Sequence, residues 1–110
     1  MAGYYELKKS SDGQFMFNLK AANHEVILTS ERYKAKASAE NGIKSVQSNC
    51  TNDSRYERRK STRNEPYFVL KAANGEVIGR SEMYSSESAM ETGIASVKTN
   101  GTTTTVKDNT

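Results

Sequence analysis

Leu19-Lys20-Ala21-Ala22-Asn23 recurs as Leu70-Lys71-Ala72-Ala73-Asn74, and the offset of 51 from Leu19 to Leu70 holds without a gap from Tyr5 through Thr51 against Tyr56 through Thr102. Roughly half of the paired positions are identical, a self-similarity that marks a tandem array of one structural unit. The duplication constrains the fold more than any other feature. Two units in 110 residues leave no room for two independent cores, so one domain of two repeats is expected, spanning about 4–52 and 55–107 with 108–110 as a disordered tail.

Each copy carries the same order of periodicities. Phe15, Phe17, Leu19 and Ala21 alternate with Met16, Asn18 and Lys20, the period-two pattern of a half-buried strand, and Phe68, Leu70 and Ala72 repeat it. Pro66 opens the second version, a place where a strand tolerates it. Shorter alternating segments, Tyr5 to Lys9 and Tyr56 to Lys60, precede these strands. Ala73-Asn74-Gly75 before Glu76-Val77-Ile78 is hairpin chemistry, because Asn and Gly accept a positive φ. A two-residue loop would put Val26 and Val77 on the face of Leu19 and Leu70; a three-residue loop with a bulge would put Ile27 and Ile78 there.

Ala39, Gly42, Ile43 and Val46 then fall at i, i+3, i+4 and i+7, matched by Met90, Gly93, Ile94 and Val97, so each copy ends in an amphipathic helix. Ser85 or Ser86 can cap the second helix, and Asn100-Gly101 predicts a left-handed stop. Gly42 and Gly93 each cost about 1 kcal/mol inside a helix, and their retention predicts close packing against the sheet.

The combination Leu70 to Ile78, Ser81-Glu82-Met83-Tyr84 and Gly93-Ile94-Ala95-Ser96-Val97 resembles the YegP-like family of small bacterial proteins of unknown function. The first copy departs from that pattern at His24, where glycine is expected. The resemblance implies an α+β fold, a tandem duplication of a three-strand-plus-helix unit. It would form one compact pseudo-twofold domain with a shared antiparallel sheet, and an exchange of C-terminal strands is left open. It implies no particular activity.

Bulk properties narrow the function. The net charge of +3 falls short of the charge that would by itself demand a nucleic-acid partner. No apolar run reaches the ~18 residues of a membrane span, and the opening Met1 to Lys9 has no stretch of signal-peptide character, so a soluble cytoplasmic protein with no membrane partner is expected. Cys50 is the only cysteine, which rules out an internal disulfide and a CxxC metal site. His24 is the sole histidine and matches Gly75, so histidine triads and two-histidine metal sites are unavailable, and His24 reads as a turn residue. With no phosphate loop, nucleophile elbow or metal spacing, neither an enzyme nor a cofactor is indicated.

Three sets of side chains remain as candidates for contact with a partner. Glu31 with Tyr33, and Glu82 with Tyr84, can hydrogen-bond a ligand or act as acid and base, though a helix-leading corner stapled by the tyrosine explains them more simply. Lys20 and Lys71 beside Asn23 and Asn74 suit an anionic small molecule or an acidic protein segment if the twofold brings the lysines together; otherwise they are a solvated strand face. Arg55, Arg58, Arg59, Lys60 and Arg63 could follow a single-stranded nucleic-acid backbone, but Glu57 and Glu65 interrupt the run. A small non-catalytic binding or interaction module is the leading expectation. The nucleic-acid binder is the alternative, and an enzyme built on the Glu-x-Tyr corners is the most distant one.

Overall fold

A computed structural model of the chain describes residues 3–110; Met1 and Ala2 lie outside the described residues. The first half is a meander of β1 (Tyr4–Lys9), β2 (Phe15–Lys20) and β3 (Val26–Ser30), followed by α1 (Lys36–Asn49). After a 3-10 turn at Asp53–Arg55, the second half repeats it with β4 (Tyr56–Lys60), β5 (Pro66–Lys71), β6 (Val77–Arg80) and α2 (Glu87–Asn100), and β7 (Val106–Asp108) ends the chain. All seven strands form one sheet in the order β4-β5-β6-β3-β2-β1-β7. Every pairing is antiparallel except β1 with β7, which is parallel.

The duplicates meet at β3 and β6, where Thr29 pairs with Arg80 and Ser30 with Gly79. Thr29 and Arg80 are equivalent under the repeat, so the pseudo-twofold axis passes between them, perpendicular to the sheet. That axis keeps both helices on one face. Tyr5, Leu7, Phe17, Leu19, Leu28, Phe68 and Leu70 turn toward them and close on Ala39, Ile43, Val46, Met90, Ile94 and Val97. The symmetry is broken where it would crowd. Leu28 is fully buried, and a Cβ on its counterpart Gly79 would lie 2.8 Å from the Thr29 carbonyl oxygen and 3.2 Å from Leu28 Cγ. One large and one absent side chain fill a space that cannot hold two leucines.

Each helix leads into a strand of the other half's part of the sheet: β4 follows α1 and pairs with β5, whereas β7 follows α2 and pairs with β1. The exchange is tied at both ends. Tyr5 donates its hydroxyl to the Gly101 carbonyl at 2.6 Å, and Tyr56 donates to the Cys50 carbonyl at 2.6 Å. At the C-terminus, Asp108 ends β7 and pairs with Lys36 at 2.6 Å, and the Asn109 amide donates to Leu7 at 2.8 Å.

The hairpin loops have three residues, with Ala21 donating to Glu25 and Ala72 to Glu76 across them, and a bulge follows. This is the three-residue alternative, with Ile27 and Ile78 in the core; in the first copy the bulge also turns Leu28 inward and leaves Val26 at 38% exposure. His24 takes φ 71 at the place where Gly75 takes φ 87. Ser86 caps α2 by accepting from the Ala89 amide.

Gly101 is a correction to the sequence reading. Its φ of −66 is right-handed, and its glycine is explained by contact instead: a Cβ there would lie 2.7 Å from Cys50 Sγ, its own counterpart in the other repeat. Gly42 and Gly93 also serve close approach, but to the corner tyrosines more than to the strands. A Cβ on Gly42 would lie 2.7 Å from the Tyr33 hydroxyl, and one on Gly93 would collide with that of Tyr84.

Candidate functional site

The Ser-Glu-x-Tyr corner begins where the inner strand stops. Ser30 Oγ accepts from the Phe17 amide at 2.9 Å and donates to the Glu31 carbonyl at 2.7 Å; Ser81 does the same for Phe68 and Glu82 at 3.0 and 2.8 Å. The serine thereby replaces one rung of the ladder and turns the chain outward. Tyr33 then exchanges backbone hydrogen bonds with Phe15, and Tyr84 donates its amide to Pro66, which has none to return. Both rings lie against the helix glycines, and Tyr84 stacks on Phe68 with 6.4 Å between centroids.

A hollow of about 190 Å³ opens beside Tyr84. Glu82 and Tyr84 of the second repeat form one wall with Thr92, Gly93 and Ser96 of α2, and the first repeat's hairpin supplies the other through Asn23, Glu25 and Ile27. Asn23 holds that hairpin in shape by accepting from the Glu25 amide at 3.1 Å, as Asn74 does for Glu76 at 3.0 Å. The Tyr84 hydroxyl is raised above its ordinary value by burial, then by the charges of Glu82 and Glu25. Tyr33 is raised in the same way by burial, then by Glu31 and by Glu76 of the opposite repeat. Each corner tyrosine therefore feels a glutamate from its own repeat and one from the other. Glu25 and Glu76 were legible as identical positions, yet nothing local in the sequence distinguishes them from hairpin polarity. Glu31 also borders a wider hollow of about 550 Å³ on the open sheet face with Met16, Thr29, Arg32 and Arg80.

The structure does not bring Lys20 and Lys71 together. They close β2 and β5, antiparallel strands with β3 and β6 between them, so about 14 Å of sheet separates them sideways and they stand toward opposite strand ends. Each has its own counter-ion: Lys20 pairs with Glu6 at 3.0 Å and Lys71 with Glu57. The physical reason is the twofold itself, which reverses strand direction between equivalent positions.

The basic segment is likewise divided. Alternation along β4 sends Arg58 and Lys60 to the helix side, where Arg58 pairs with Glu91 at 2.5 Å and with Asp53 at 3.3 Å, and Lys60 with Glu87 at 3.6 Å. Arg59 stays on the open face against Glu57, which its guanidinium and Lys71 hold down to about 2. Arg55 donates to Asn49 at 3.0 Å, and Arg63 lies in the exposed β4–β5 turn. No continuous basic stripe results.

Among the described residues, no group of three or more His, Cys, Asp or Glu is placed to hold a metal ion, and no helix is long and apolar enough to cross a membrane. The Cys50 thiol is buried and raised by burial.

A single seven-stranded sheet, built by two β-β-β-α units that share one helical face, defines the molecule as a duplicated α+β fold. The chain belongs to the family of the domain of unknown function DUF1508, which matches it twice, over residues 10–57 and 61–108. It is 59% identical over 110 residues to the UPF0339 protein YegP of Escherichia coli K12, covering 100% of both chains. It is 61% identical to a UPF0339 protein of Acinetobacter baylyi, covering 98% of this chain and 97% of that one. The solution NMR structure of the protein of unknown function yegP from E. coli superposes with a TM-score of 0.94 at 59% identity, over 99% of this chain and 94% of that chain. That of a UPF0339 protein from Shewanella oneidensis gives 0.92 at 56%, over 98% and 92%. These relatives are bacterial, and their names state no activity.

Proposed function

We propose that the protein is a small non-catalytic binding module of the cytoplasm whose corner hollow beside Tyr84 receives a basic side chain of a partner. One observation carries this reading: residues kept by both copies, yet distant in sequence, line the same hollow from opposite repeats, as Asn23 and Glu25 do with Glu82 and Tyr84. A space of about 190 Å³ is small beside the ~300–1,000 Å³ of ordinary ligand pockets and suits one side chain. The tyrosine ring and Ile27 can cover a methylene stem while the two carboxylates face its charged end. The separation of Lys20 from Lys71 removes the geometric basis for a shared anion site between them.

Burial lifts the Tyr33 and Tyr84 hydroxyls above their ordinary value, which keeps both as protonated donors able to hydrogen-bond a partner's group.

The test is a titration of the isotopically labelled protein with a lysine-rich and a glutamate-rich peptide of equal length. The basic peptide should shift Glu25, Glu82 and Tyr84 resonances, more weakly at high salt, and Glu82→Gln should reduce its affinity about threefold or more. Shifts from the acidic peptide alone, or from neither, defeat the proposal.

A further inference from the structure

A second cavity lies on the other side of the first hairpin's loop, where β7 joins the edge of β1. It measures about 190 Å³ and is lined by Tyr4, Ala22, His24, Thr103, Thr105 and Lys107, with Gly3 at its margin. Tyr4 is its centre. Although it stands on the open sheet face, only 9% of it is exposed. Its hydroxyl lies 2.9 Å from His24 Nδ1, the two rings meet edge to face at 5.8 Å, and Lys107 Nζ stands 4.4 Å from its ring centroid. Lys20 approaches the same ring at 6.0 Å, with Glu6 as its counter-ion.

Two features of this cluster call for a ligand rather than for packing alone. First, His24 holds φ 71, a left-handed conformation that the second copy fills with glycine. Both copies need that φ for the same three-residue loop, so what distinguishes the first is the imidazole that it sets beside Tyr4. Second, Lys107 has no carboxylate partner among the described residues, although it projects between Tyr4 and the cavity. The site also departs from the duplication: the positions matching Tyr4 and His24 are Arg55 and Gly75, and among the described residues no strand lies outside β4 to supply a second Lys107.

We propose that this cavity binds a phosphate-type oxyanion, either free phosphate or the terminal phosphate of a small metabolite. If Tyr4 donates to Nδ1, His24 is left with an Nε2–H donor directed away from the tyrosine. Lys107 supplies the charge and a second donor, and charge-assisted hydrogen bonds of this kind are the strong ones in phosphate recognition. Glu6 compensates Lys20, which leaves Lys107 as the uncompensated cation of the site. This inference is independent of the corner hollow, which lies beside α2 and carries the opposite charge.

The experiment is an amide and imidazole NMR titration of the full chain with inorganic phosphate, then with glycerol 1-phosphate, at constant ionic strength set by chloride. Saturable shifts at Tyr4, His24 and Lys107 are expected with either probe. Tighter binding of the ester identifies a phosphorylated metabolite as the ligand type, and tighter binding of inorganic phosphate identifies the free ion. Lys107→Met keeps the backbone pairing of β7 and should weaken binding about tenfold, as should His24→Gly, which copies the second repeat's own turn. Lys71→Met should leave binding unchanged. Absence of saturable shifts in this cluster, or unaltered affinity in both Lys107→Met and His24→Gly, overturns the proposal.

Discussion

Asn18 and Val69 occupy matching places in β2 and β5, one step from the axis on the open face, and they show how far the duplicates have diverged. Asn18 is 3% exposed; its Nδ2 donates to Thr29 Oγ1 at 3.0 Å, but its Oδ1 finds no partner among the described residues. A buried carbonyl without a hydrogen bond costs about 1–3 kcal/mol. Val69, buried to 2% exposure, fills the same environment with a strand-favouring apolar side chain. Asn18→Val should therefore raise the folding free energy by about 1 kcal/mol in urea denaturation, since Thr29 is open enough for water to replace the lost donor. A lowered midpoint would show that Asn18 has a partner worth more than the orphaned oxygen costs. The same comparison at His24 gives the opposite lesson: Gly75 makes its positive φ legible in the sequence, whereas its Tyr4 partner lies just outside the aligned span.

At the scale of elements, the strands and helices follow from periodicity, and the turns from their Asn and Gly residues, because both signals are local. What the sequence did not disclose is non-local. Gly101 looked like a left-handed stop because a cap is the commonest reason for glycine after a helix, but the Cys50 contact depends on where the other helix ends. The corner residues Glu31, Tyr33, Glu82 and Tyr84 stood out by retention, yet their meeting with Glu76 and Glu25 crosses the repeats. β7 is the extreme case: three exposed residues with no apolar period, held by what surrounds them. Its anchors include Asp108, which Lys36 first and then Thr110 hold well below the usual carboxylate range, and Glu6, lowered chiefly by Lys20 and also by Asn109. A carboxyl depressed in the folded state stabilises it above the unfolded value of about 4 and loses that contribution as pH falls through the folded value. Acidification below about pH 4 should therefore release β7 before the sheet centre. Hydrogen exchange checks this at the Tyr5 amide, bonded to Thr105 at 2.9 Å, and at the Asn109 amide, bonded to Leu7. Asp108→Asn should show the loosened edge already at neutral pH; simultaneous loss of protection in β2 and β5 would contradict the prediction.

Over the whole molecule, the halves are bound by reciprocal ties that neither can supply for itself. Tyr5 needs the Gly101 carbonyl and Tyr56 that of Cys50; Gln47 Nε2 donates to Thr103 at 2.8 Å, and the Gly3 amide to Asn100 at 2.7 Å. A unit of three short strands and one helix falls well below the ~70–80 residues at which a single core becomes self-sufficient. Cutting between Asn52 and Asp53 should thus yield fragments that are unfolded alone and that recover the native amide spectrum when mixed one to one. The axis also dictates which pairs can form. Two first halves would each bring Leu28 to the place of Gly79, where even a Cβ meets the Thr29 carbonyl oxygen at 2.8 Å, and two second halves would leave a void where Leu28 belongs. Overfilling and cavity formation each cost about 1–3 kcal/mol or more, so the heterodimer should exclude both homodimers. Native mass spectrometry of the mixture tests the selectivity, and a well-dispersed monomeric spectrum from residues 1–52 alone would show that the repeat carries a complete core after all.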